Sequence, residues 1–412
     1  MDFSVFSSTS EVIHNIHRPY YYYYYINYIN IIIVFLLGRK YMKFTCSQQK
    51  LSKALNTVSK AVSTRTTLPV HKGILIEADA DGTLTMTASD LDISIQKKII
   101  ADVQEPGSAV VVSKLFGDII RKLPNEEIII EKTEENNILI RTNSSEFTVV
   151  SLPVDEFPNI KDQEEIRNTL VFNRELFKEM VKKTSFAASI DEAKGILVGI
   201  LTEIDKDKVT MVSLDGFRLA LASEEMTSAE ENKFIISAKI MNEISKIVTD
   251  DDEEDDIKII LGEKKASFIV GSTEIVLRLM EGEFIRYRDI IPSDSSINVI
   301  IGKDILLESI ERASLLAKEG KNNLIKMSIR NNLMTITSRS EEGNVKEEII
   351  MEKTGDDLEI GFNSKFVIDV LKVIEDDEIS MNFKTGTSPC VVKPVEGDRY
   401  EYLILPVRIP SM

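Results

Sequence analysis

Apolar and charged positions recur three times along this chain in one helical pattern. Each copy has a lysine, an apolar residue directly after it, and further apolar residues at every fourth position. Positions spaced by four lie on one side of an α-helix. The copies are Val112–Pro124, Ser237–Val248 and Asn363–Ile374, with the apolar positions Leu115, Ile119 and Leu123, then Ile240, Ile244 and Val248, then Phe366, Val370 and Ile374. We predict one amphipathic helix from each copy.

Each copy also has a second basic residue seven positions after the lysine. The pairs are Lys114 with Arg121, Lys239 with Lys246, and Lys365 with Lys372. Seven residues return a helix to about its starting direction, so each pair shares the side opposite the apolar stripe. One acidic residue stands between the two cations each time, at Asp118, Glu243 and Asp369. One copy alone would be interpreted as an ordinary solvated helix. Three copies in register favour a common geometric role for the three helices.

The elements around these helices repeat with the same spacing, beginning at Met42. A first helix is predicted at Ser47–Val62, Phe172–Ser189 and Gly302–Lys318, and the strand pairs that follow are Ile74–Ala78 with Thr83–Ala88, Leu197–Ile204 with Lys208–Ser213, and Leu324–Arg330 with Leu333–Ser338. Turns rich in Asp, Asn and Gly join these pairs as hairpins. The order predicts an α+β fold of three repeated domains, at residues 42–163, 164–293 and 294–412, with antiparallel sheets and two helices on one side of each. Edge strands would join the domains into a curved object.

Residues 1–41 differ in character from the repeats. Tyr20–Tyr25 is a run of tyrosine, Ile26–Leu37 is mostly apolar, and a second methionine follows at Met42. The stretch is near the lower length limit for a membrane span. Asparagines interrupt it, however, and no basic region precedes it. A translated leader upstream of a start at Met42, or a disordered tail, is the simpler interpretation.

The charge of the chain is distributed unevenly. The net charge is -17, which by itself argues against a nucleic-acid partner. The six predicted helices nevertheless carry 17 basic and eight acidic side chains, a net charge of +9, which leaves -26 for the remainder. A basic concave surface within an acidic body would attract a polyanion there and repel it elsewhere. Because these helices offer no aromatic platform, we expect contacts to phosphates that are independent of base sequence.

Few residues suited to catalysis or metal binding are available. The histidines are His14, His17 and His71, so a histidine-based triad or a histidine-rich metal site is not expected. The two cysteines, Cys46 and Cys390, form no CxxC pair and indicate a reducing compartment. No P-loop or dinucleotide-binding glycine motif occurs. We expect no catalytic residue, no metal and no cofactor.

Seven motifs in one order resemble the family of the bacterial DNA polymerase III β sliding clamp. They are MKFT at Met42–Thr45, TLPV at Thr67–Val70, DGTLTMTASDLD at Asp81–Asp92, LP-x3-FPN at Leu152–Asn159, LDGFRLA at Leu214–Ala220, GEF-x2-Y-x3-IP at Gly282–Pro292, and YLILPVR at Tyr402–Arg408. The resemblance covers Met42–Ile409. It implies a head-to-tail homodimeric ring with three domains per chain, sheets outside and twelve helices lining a hole.

The resemblance also implies a partner-peptide pocket between the second and third domains. Its residues would be Leu197, Leu214, Gly216, Phe217, Arg218, Leu219, Ile285, Asp289, Ile290, Thr387, Pro389, Leu403, Ile404, Leu405, Pro406, Val407, Arg408 and Ile409. A mostly apolar set with a few polar groups suits a short peptide with aliphatic or aromatic anchors. We expect Arg218 to supply the polar handle, and Leu219, Leu405 and Val407 to supply apolar walls.

Three pocket positions depart from the family pattern. Phe217 stands where the family usually has His, Ile285 where Pro is common, and Asp289 where a basic residue is common. The chain also continues through Pro410–Met412, past the usual end of the family. The location of the pocket follows from the resemblance, whereas its peptide preference does not.

DNA-facing and dimer-forming residues follow from the same resemblance. Arg65, in the loop before Leu68, would contact DNA. The helix cations would face the DNA with it, and they are Lys114, Arg121, Lys239, Lys246, Lys365 and Lys372. The apolar part of the dimer contact would be Phe147 and Val149 on one protomer and Leu315 and Leu316 on the other, although the last two could equally be helix core.

The leading function is therefore a non-enzymatic DNA sliding clamp. Its partners would be double-stranded DNA bound without sequence preference, a second copy of the chain, and a clamp loader and polymerases that attach by short peptides. We expect a cytoplasmic protein with no membrane partner. The alternative is a repeat scaffold that binds peptides without encircling DNA. An enzyme ranks third, because no set of nucleophile, base and orienting group can be assembled.

Overall fold

The computed structural model describes residues 41–63, 66, 68–90, 92–158, 167–227, 231–248 and 256–409. The predicted tail at residues 1–41 lies outside these residues except for Tyr41, and so do Arg65 and Pro410–Met412. In the described part of the chain no helix is long and apolar enough to cross a membrane.

The described residues form six α-helices and 26 strands. The helices are α1 Gln48–Val58, α2 Ser113–Lys122, α3 Arg174–Ser185, α4 Ala238–Ile247, α5 Lys303–Ala317 and α6 Ser364–Leu371. The strands of the first repeat are β1 Met42–Ser47, β2 Gly73–Ala78, β3 Thr83–Ser89, β4 Ile93–Ile100, β5 Asp102–Glu105, β6 Gly107–Val112, β7 Glu127–Lys132, β8 Asn137–Arg141 and β9 Glu146–Val150. Those of the second are β10 Asn168–Asn173, β11 Gly199–Ile204, β12 Lys208–Leu214, β13 Arg218–Glu225, β14 Asn232–Ser237, β15 Asp256–Leu261, β16 Lys265–Val270 and β17 Thr273–Arg278. Those of the third are β18 Ile297–Gly302, β19 Leu324–Arg330, β20 Leu333–Ser340, β21 Gly343–Ile350, β22 Glu352–Thr354, β23 Leu358–Asn363, β24 Glu378–Phe383, β25 Cys390–Pro394 and β26 Tyr400–Ile404.

The threefold repeat is confirmed by the order of these elements. Each repeat runs from one strand through a helix and several strands to a second helix and three closing strands. One predicted strand start is wrong, because Leu197 lies in a 3₁₀ helix, Glu192–Val198, and β11 begins at Gly199. Asp191 caps that helix by accepting a hydrogen bond from the Ala193 amide at 3.0 Å, which favours a helical turn over an extended chain there.

The described chain divides into two compact units. The first contains the residues up to Asp90 and those from Ile95 to Pro158. Its sheets have the strand orders β5-β1-β7-β8-β9 and β4-β3-β2-β6, and α1 packs against α2. The pairings within these sheets are antiparallel, as predicted. Alternate apolar residues of β1 and β7 point into the core, which is the pattern of a sheet covered on one face.

The second compact unit contains the second and third repeats. Its sheets have the strand orders β10-β15-β16-β17, β14-β11-β12-β13-β26-β25-β24-β18-β22 and β21-β20-β19-β23. Helix α3 packs against α4, and α5 packs against α6. The nine-stranded sheet is continuous across the two repeats because β13 pairs with β26, from Arg218 opposite Ile404 to Ala222 opposite Tyr400. Edge strands therefore join these two repeats, as the sequence predicts.

The apolar stripe predicted for the second helix of each repeat is partly wrong. In α2, Leu115 is 53% exposed, whereas Phe116 and Ile120 are buried. Steps of four residues advance about 400° and so drift around the helix, whereas alternating steps of three and four stay on one face. The equivalent residues Met241 in α4 and Val367 in α6 are likewise buried. The core-facing side begins one position later than predicted.

This register predicts different costs for two neighbouring substitutions in α2. Phe116→Ala removes a buried ring and should lower the free energy of unfolding by about 3–5 kcal/mol. Leu115→Ala removes an exposed side chain and should change it by less than about 0.5 kcal/mol. Urea unfolding of both variants beside the parent chain measures the difference. Equal costs would contradict the register.

Candidate functional site

A row of three leucines forms the floor of the predicted peptide pocket. Leu214 on β12 lies opposite Leu219 on β13, and Leu219 lies opposite Leu403 on β26. Directly opposite side chains of antiparallel strands contact each other on one face of a sheet. All three are buried in one apolar cluster, against which Leu197 and Leu405 pack half-buried. The structure thus brings five of the predicted pocket residues together from two repeats.

Two separate segments beside this floor carry exposed apolar residues. Phe217, Ile285 and Ile290 are 56%, 41% and 40% exposed. Ile285 and Ile290 lie in the rim segment, residues 284–291, whose Phe284 and Tyr287 are buried in the same cluster as the leucine row. Large exposed apolar side chains beside an apolar floor are typical of a surface that receives a partner.

The turn that presents Phe217 is built by its neighbours. The Asp215 carboxylate accepts hydrogen bonds from the amides of Phe217 and Arg218, at 2.8 and 3.1 Å. Gly216 has a φ of 93°, a conformation that favours glycine. The Lys194 ammonium donates to the Asp215 carbonyl at 2.9 Å and lies 5.4 Å from the centre of the Phe217 ring. The Phe366 ring also stacks on it, with the two ring centres 6.1 Å apart.

Arg218, the residue predicted to supply the polar handle, is 8% exposed and bonds to several neighbours. Its guanidinium donates to Asp215, to Asp369 and to the Phe186 carbonyl, at 3.1, 2.6 and 2.6 Å. Arg218 and Ile404 face each other across the strand pair one position away from the leucine row, and successive side chains point to opposite faces of a sheet. Ile404 accordingly belongs to the apolar core that contains α5 and α6. The side chains of Arg218 and Ile404 therefore lie on the helix side of the sheet, opposite the leucine row.

The C-terminal tail, residues 405–409, connects the two repeats after β26 ends. The Leu405 amide donates to the Phe217 carbonyl at 2.9 Å, and the Val407 amide donates to the Gly361 carbonyl at 2.8 Å. Leu405, Pro406, Val407 and Ile409 are half-buried, and Arg408 is exposed. A Cβ atom added at Gly361 would lie 2.7 Å from the Val407 carbonyl oxygen. Gly361 therefore provides the room in which the tail lies against β23.

The remaining predicted pocket residues lie outside the leucine row and the C-terminal tail. Pro389 lines a separate cavity of about 220 Å³ with Pro292, Lys384 and Lys393, and Thr387 is exposed in the turn before it. Asp289 is exposed in the rim segment and forms an ion pair with Arg286 at 3.5 Å. The leucine row, the rim segment and the tail thus form the compact part of the predicted site.

The six helix cations are exposed, as predicted. Four of them form ion pairs: Arg121 with Asp118 at 3.0 Å, Lys246 with Glu243 at 2.8 Å, Lys365 with Asp369 at 2.5 Å, and Lys372 with Glu311 at 2.9 Å. In the described residues Lys114 and Lys239 have no ion-pair partner. Exposed ion pairs of this kind contribute at most about 1 kcal/mol each. The cations therefore remain available to a polyanion.

The predicted dimer residues are at surfaces of both compact units. Phe147 is 41% exposed and Val149 is half-buried on β9, which is an edge strand of its sheet. Leu315 is 66% exposed on α5, and Leu316 beside it is half-buried. An open sheet edge and an exposed leucine pair are both features that a partner chain commonly covers.

Sequence reasoning missed several residues that shape this site. Asp369 was identified as a helix acid, but its ion pair with Arg218 depends on the pairing of distant strands. The sequence gives no local indication that Phe186 and Phe366 contact Arg218. It likewise gives none that Gly361 contacts the tail. In the described residues no group of three or more His, Cys, Asp or Glu side chains is arranged to hold a metal ion.

Three family models match consecutive parts of the chain. They are the N-terminal domain of the DNA polymerase III beta subunit at residues 42–161, its central domain at residues 171–285 and its C-terminal domain at residues 288–408. Curated relatives are called beta sliding clamp. That of Staphylococcus epidermidis is 35% identical over 378 residues, which is 89% of this chain and 99% of the relative. That of Bacillus subtilis is 33% identical over 380 residues, with 89% and 100% covered.

Solved structures show the same similarity. The DNA polymerase sliding clamp from Bacillus subtilis superposes with a TM-score of 0.85 at 33% identity, covering 90% of this chain and all of that one. A putative DNA polymerase III beta subunit from Eubacterium rectale gives a TM-score of 0.84 at 34% identity, covering 89% and 100%. A sliding clamp from Pseudomonas aeruginosa bound to griselimycin gives 0.83 at 27% identity, covering 89% and 100%.

The space at Gly361 generates a prediction about the tail. Gly361→Ala would place a methyl group against the Val407 carbonyl and the Ile409 side chain, so the tail should shift and its amides should exchange hydrogen faster. We expect a loss of about 1–3 kcal/mol in unfolding free energy, which is typical of overpacking. Mass spectrometry of hydrogen exchange in the peptide that contains Val407 measures the shift.

Gly117→Ala in α2 is the matched control. The nearest atom to its added Cβ would be the end of the Arg121 side chain at 3.7 Å. Alanine in a helix interior is favoured over glycine by about 0.5–1 kcal/mol, so this variant should be slightly more stable. Unchanged exchange of the tail in Gly361→Ala would show that Gly361 does not seat it.

Proposed function

This chain belongs to the DNA polymerase III beta subunit family, and from that membership we propose that it acts as a DNA sliding clamp. In this role it encircles duplex DNA and tethers replicative and repair polymerases as a processivity factor. The observation that carries the proposal is the presence of all three family domains, in order, in one chain. We place the domains at residues 42–163, 164–293 and 294–412. The protein itself catalyses no reaction.

The exposed helix cations support the DNA-binding part of the proposal. Each repeat presents two of them on the second helix or directly after it, while the chain as a whole is strongly acidic. Contacts to phosphates are insensitive to base sequence and weaken with salt. In a closed ring, topology rather than affinity retains the protein on DNA, so weak contacts suffice and permit sliding. Acidic surfaces elsewhere discourage binding of DNA outside the ring.

A homodimer is the form in which three domains per chain close into a ring. We assign the contact to β9 with Phe147 and Val149 on one protomer and to α5 with Leu315 and Leu316 on the other. The exposed apolar side chains of both elements favour this assignment, because an obligate interface needs an apolar core. Two chains then supply twelve helices toward the hole.

The groove made by the leucine row, the rim segment and the tail is the proposed tether point. A short peptide with aliphatic or aromatic anchors would bury them on the leucines and beside Phe217, Ile285 and Ile290. Attachment of a polymerase through such a peptide raises its effective concentration at the primer end. The clamp loader would use the same kind of peptide. We place this activity in the cytoplasm, where a bacterial replication factor meets the chromosome.

Substitution of the leucine pair tests the ring. Leu315→Lys combined with Leu316→Lys places two ammonium groups in the proposed interface, where no partner for them is expected, so dimers should dissociate. Light scattering should then report a monomer. Primer extension by the cognate polymerase on a long primed template should lose its stimulation by this protein, because a monomer cannot encircle DNA.

Ile305→Lys is the matched control on the same helix. Ile305 is 61% exposed, close to the value for Leu315, but lies near the opposite end of α5. This variant should remain dimeric and should stimulate primer extension normally. A double variant that stays dimeric would refute the interface, and a monomer that still confers processivity would refute the clamp function.

A further inference from the structure

The rim segment depends on side chains for its position. It contains one short 3₁₀ helix, Tyr287–Asp289, and takes no part in a sheet. Its backbone hydrogen bonds are local, including those from the amides of Tyr287 to Ile285 and of Ile290 to Tyr287. Such local bonds fix the shape of the segment but not its place on the protein. That place must come from contacts with the neighbouring strands.

Glu203 on β11 supplies a concentrated set of these contacts. Its Oε2 accepts hydrogen bonds from the Tyr287 hydroxyl at 2.7 Å and from the Arg288 guanidinium at 3.0 Å. Its Oε1 lies 3.0 Å from the Lys233 ammonium, which comes from the paired position on β14. The side chain of Glu203 is 14% exposed. One half-buried carboxylate thus contacts two consecutive residues of the rim segment.

The state of Glu203 is the ionised one that these contacts require. Burial opposes ionisation and is the largest single influence, but hydrogen bonds from Tyr287 and Lys233 and the nearby charge of Arg288 outweigh it, so the pKa of Glu203 lies below its usual range. Burial and the bond to Glu203 raise the pKa of the Tyr287 hydroxyl, which therefore stays protonated and donates. Hydrogen bonds to a charged acceptor are stronger than those between neutral groups.

Packing alone leaves the rim segment room to move. Phe284 and Tyr287 are buried, which fixes how deeply the segment sits. Beside it, however, lies an open cavity of about 770 Å³, lined in part by Met280, Phe284 and Arg286. A segment next to unfilled space can shift sideways at little cost in contacts. Beside this space, the carboxylate of Glu203 contacts both Tyr287 and Arg288.

We propose that Glu203 is a positioning residue for the peptide groove, which holds Tyr287 and Arg288 so that Ile285 and Ile290 form its rim. The inference rests on the proposed tethering function and extends it to a residue outside the groove. The cations Lys233 and Arg288 are exposed, so this cluster adds little to stability, whereas it specifies one arrangement of the rim segment. Loss of Glu203 should therefore affect peptide affinity more than folding.

Peptide binding to the full-length dimer tests the proposal. The probe is a fluorescein-labelled synthetic peptide from the clamp-binding segment of the polymerase of the same bacterium, followed by fluorescence anisotropy. Glu203→Ala and Tyr287→Phe should each weaken binding by roughly tenfold, the value for loss of about 1.4 kcal/mol of positioning free energy. Glu203→Gln keeps an acceptor for the Tyr287 hydroxyl and should recover part of the affinity. The unfolding midpoints of Tyr287→Phe and the parent chain should be close.

Lys233→Ala is the matched control, because it removes a partner of Glu203 that is outside the rim segment. It should leave the affinity nearly unchanged. A chain that ends before Leu405 lacks the tail and should lose binding entirely, so it reports on the groove itself. Tyr287→Phe removes one oxygen atom only, and it carries the test if Glu203→Ala folds poorly.

The outcomes separate the two proposals. Unchanged affinity in both Tyr287→Phe and Glu203→Ala, with binding lost in the truncated chain, overturns the role of Glu203 and leaves the groove intact. Equal binding by the truncated and parent chains, or no binding by either, overturns the proposed groove. Equal losses in Tyr287→Phe and Lys233→Ala would show that the effect does not depend on contact with the rim segment and would also overturn the positioning role.

Discussion

The hydrogen-bonded pairing of β13 with β26 is the contact on which the candidate groove depends. It brings Leu219 of the second repeat opposite Leu403 of the third, although the two are far apart in the chain. The same register lets the Leu405 amide reach the Phe217 carbonyl just beyond the strand ends. Without this pairing the leucine row would be divided between two sheets. The site is therefore a property of the joined repeats and of neither repeat alone.

The two faces of the joined sheet contact different parts of the protein. One face carries the leucine row toward the groove, and the other receives Arg218 and Ile404 beside the helices. Arg218 bonds to Asp369 of α6, and Asp369 also pairs with Lys365. The helix that presents cations is thus attached by one carboxylate to the turn that presents Phe217. This arrangement follows from the alternation of side chains along β13.

Much of the fold was predictable because it follows local periodicity that recurs three times. Helix and strand order, the antiparallel hairpins and the exposure of the cations all follow from spacing within a few residues. The core-facing side of α2 was misplaced by one position. A strict spacing of four residues drifts around a helix, and the predicted series that begins at Leu115 leaves out the buried Phe116. The spacing of apolar residues alone could not distinguish two faces of the helix that begin one residue apart.

The segments that form the candidate groove could be predicted from the sequence, whereas their contacts could not. The motifs around Leu219 and Leu403 indicated two distant segments, and the structure pairs them. The place of Arg218 on the opposite face, the close approach of the tail to Gly361 and the contacts of Glu203 all depend on the register between distant strands. No local pattern encodes that register, so these features required the folded chain.

If topology holds the protein on DNA, its retention must depend on whether the DNA is circular or linear, and this comparison tests encirclement most directly. Labelled protein is assembled on nicked circular DNA with its clamp loader and passed through a sizing column in high salt, which suppresses phosphate contacts. We expect the protein to stay with the circular DNA and to be lost once a restriction enzyme linearises it. Equal retention on circular and linear DNA, or loss from both, would contradict encirclement.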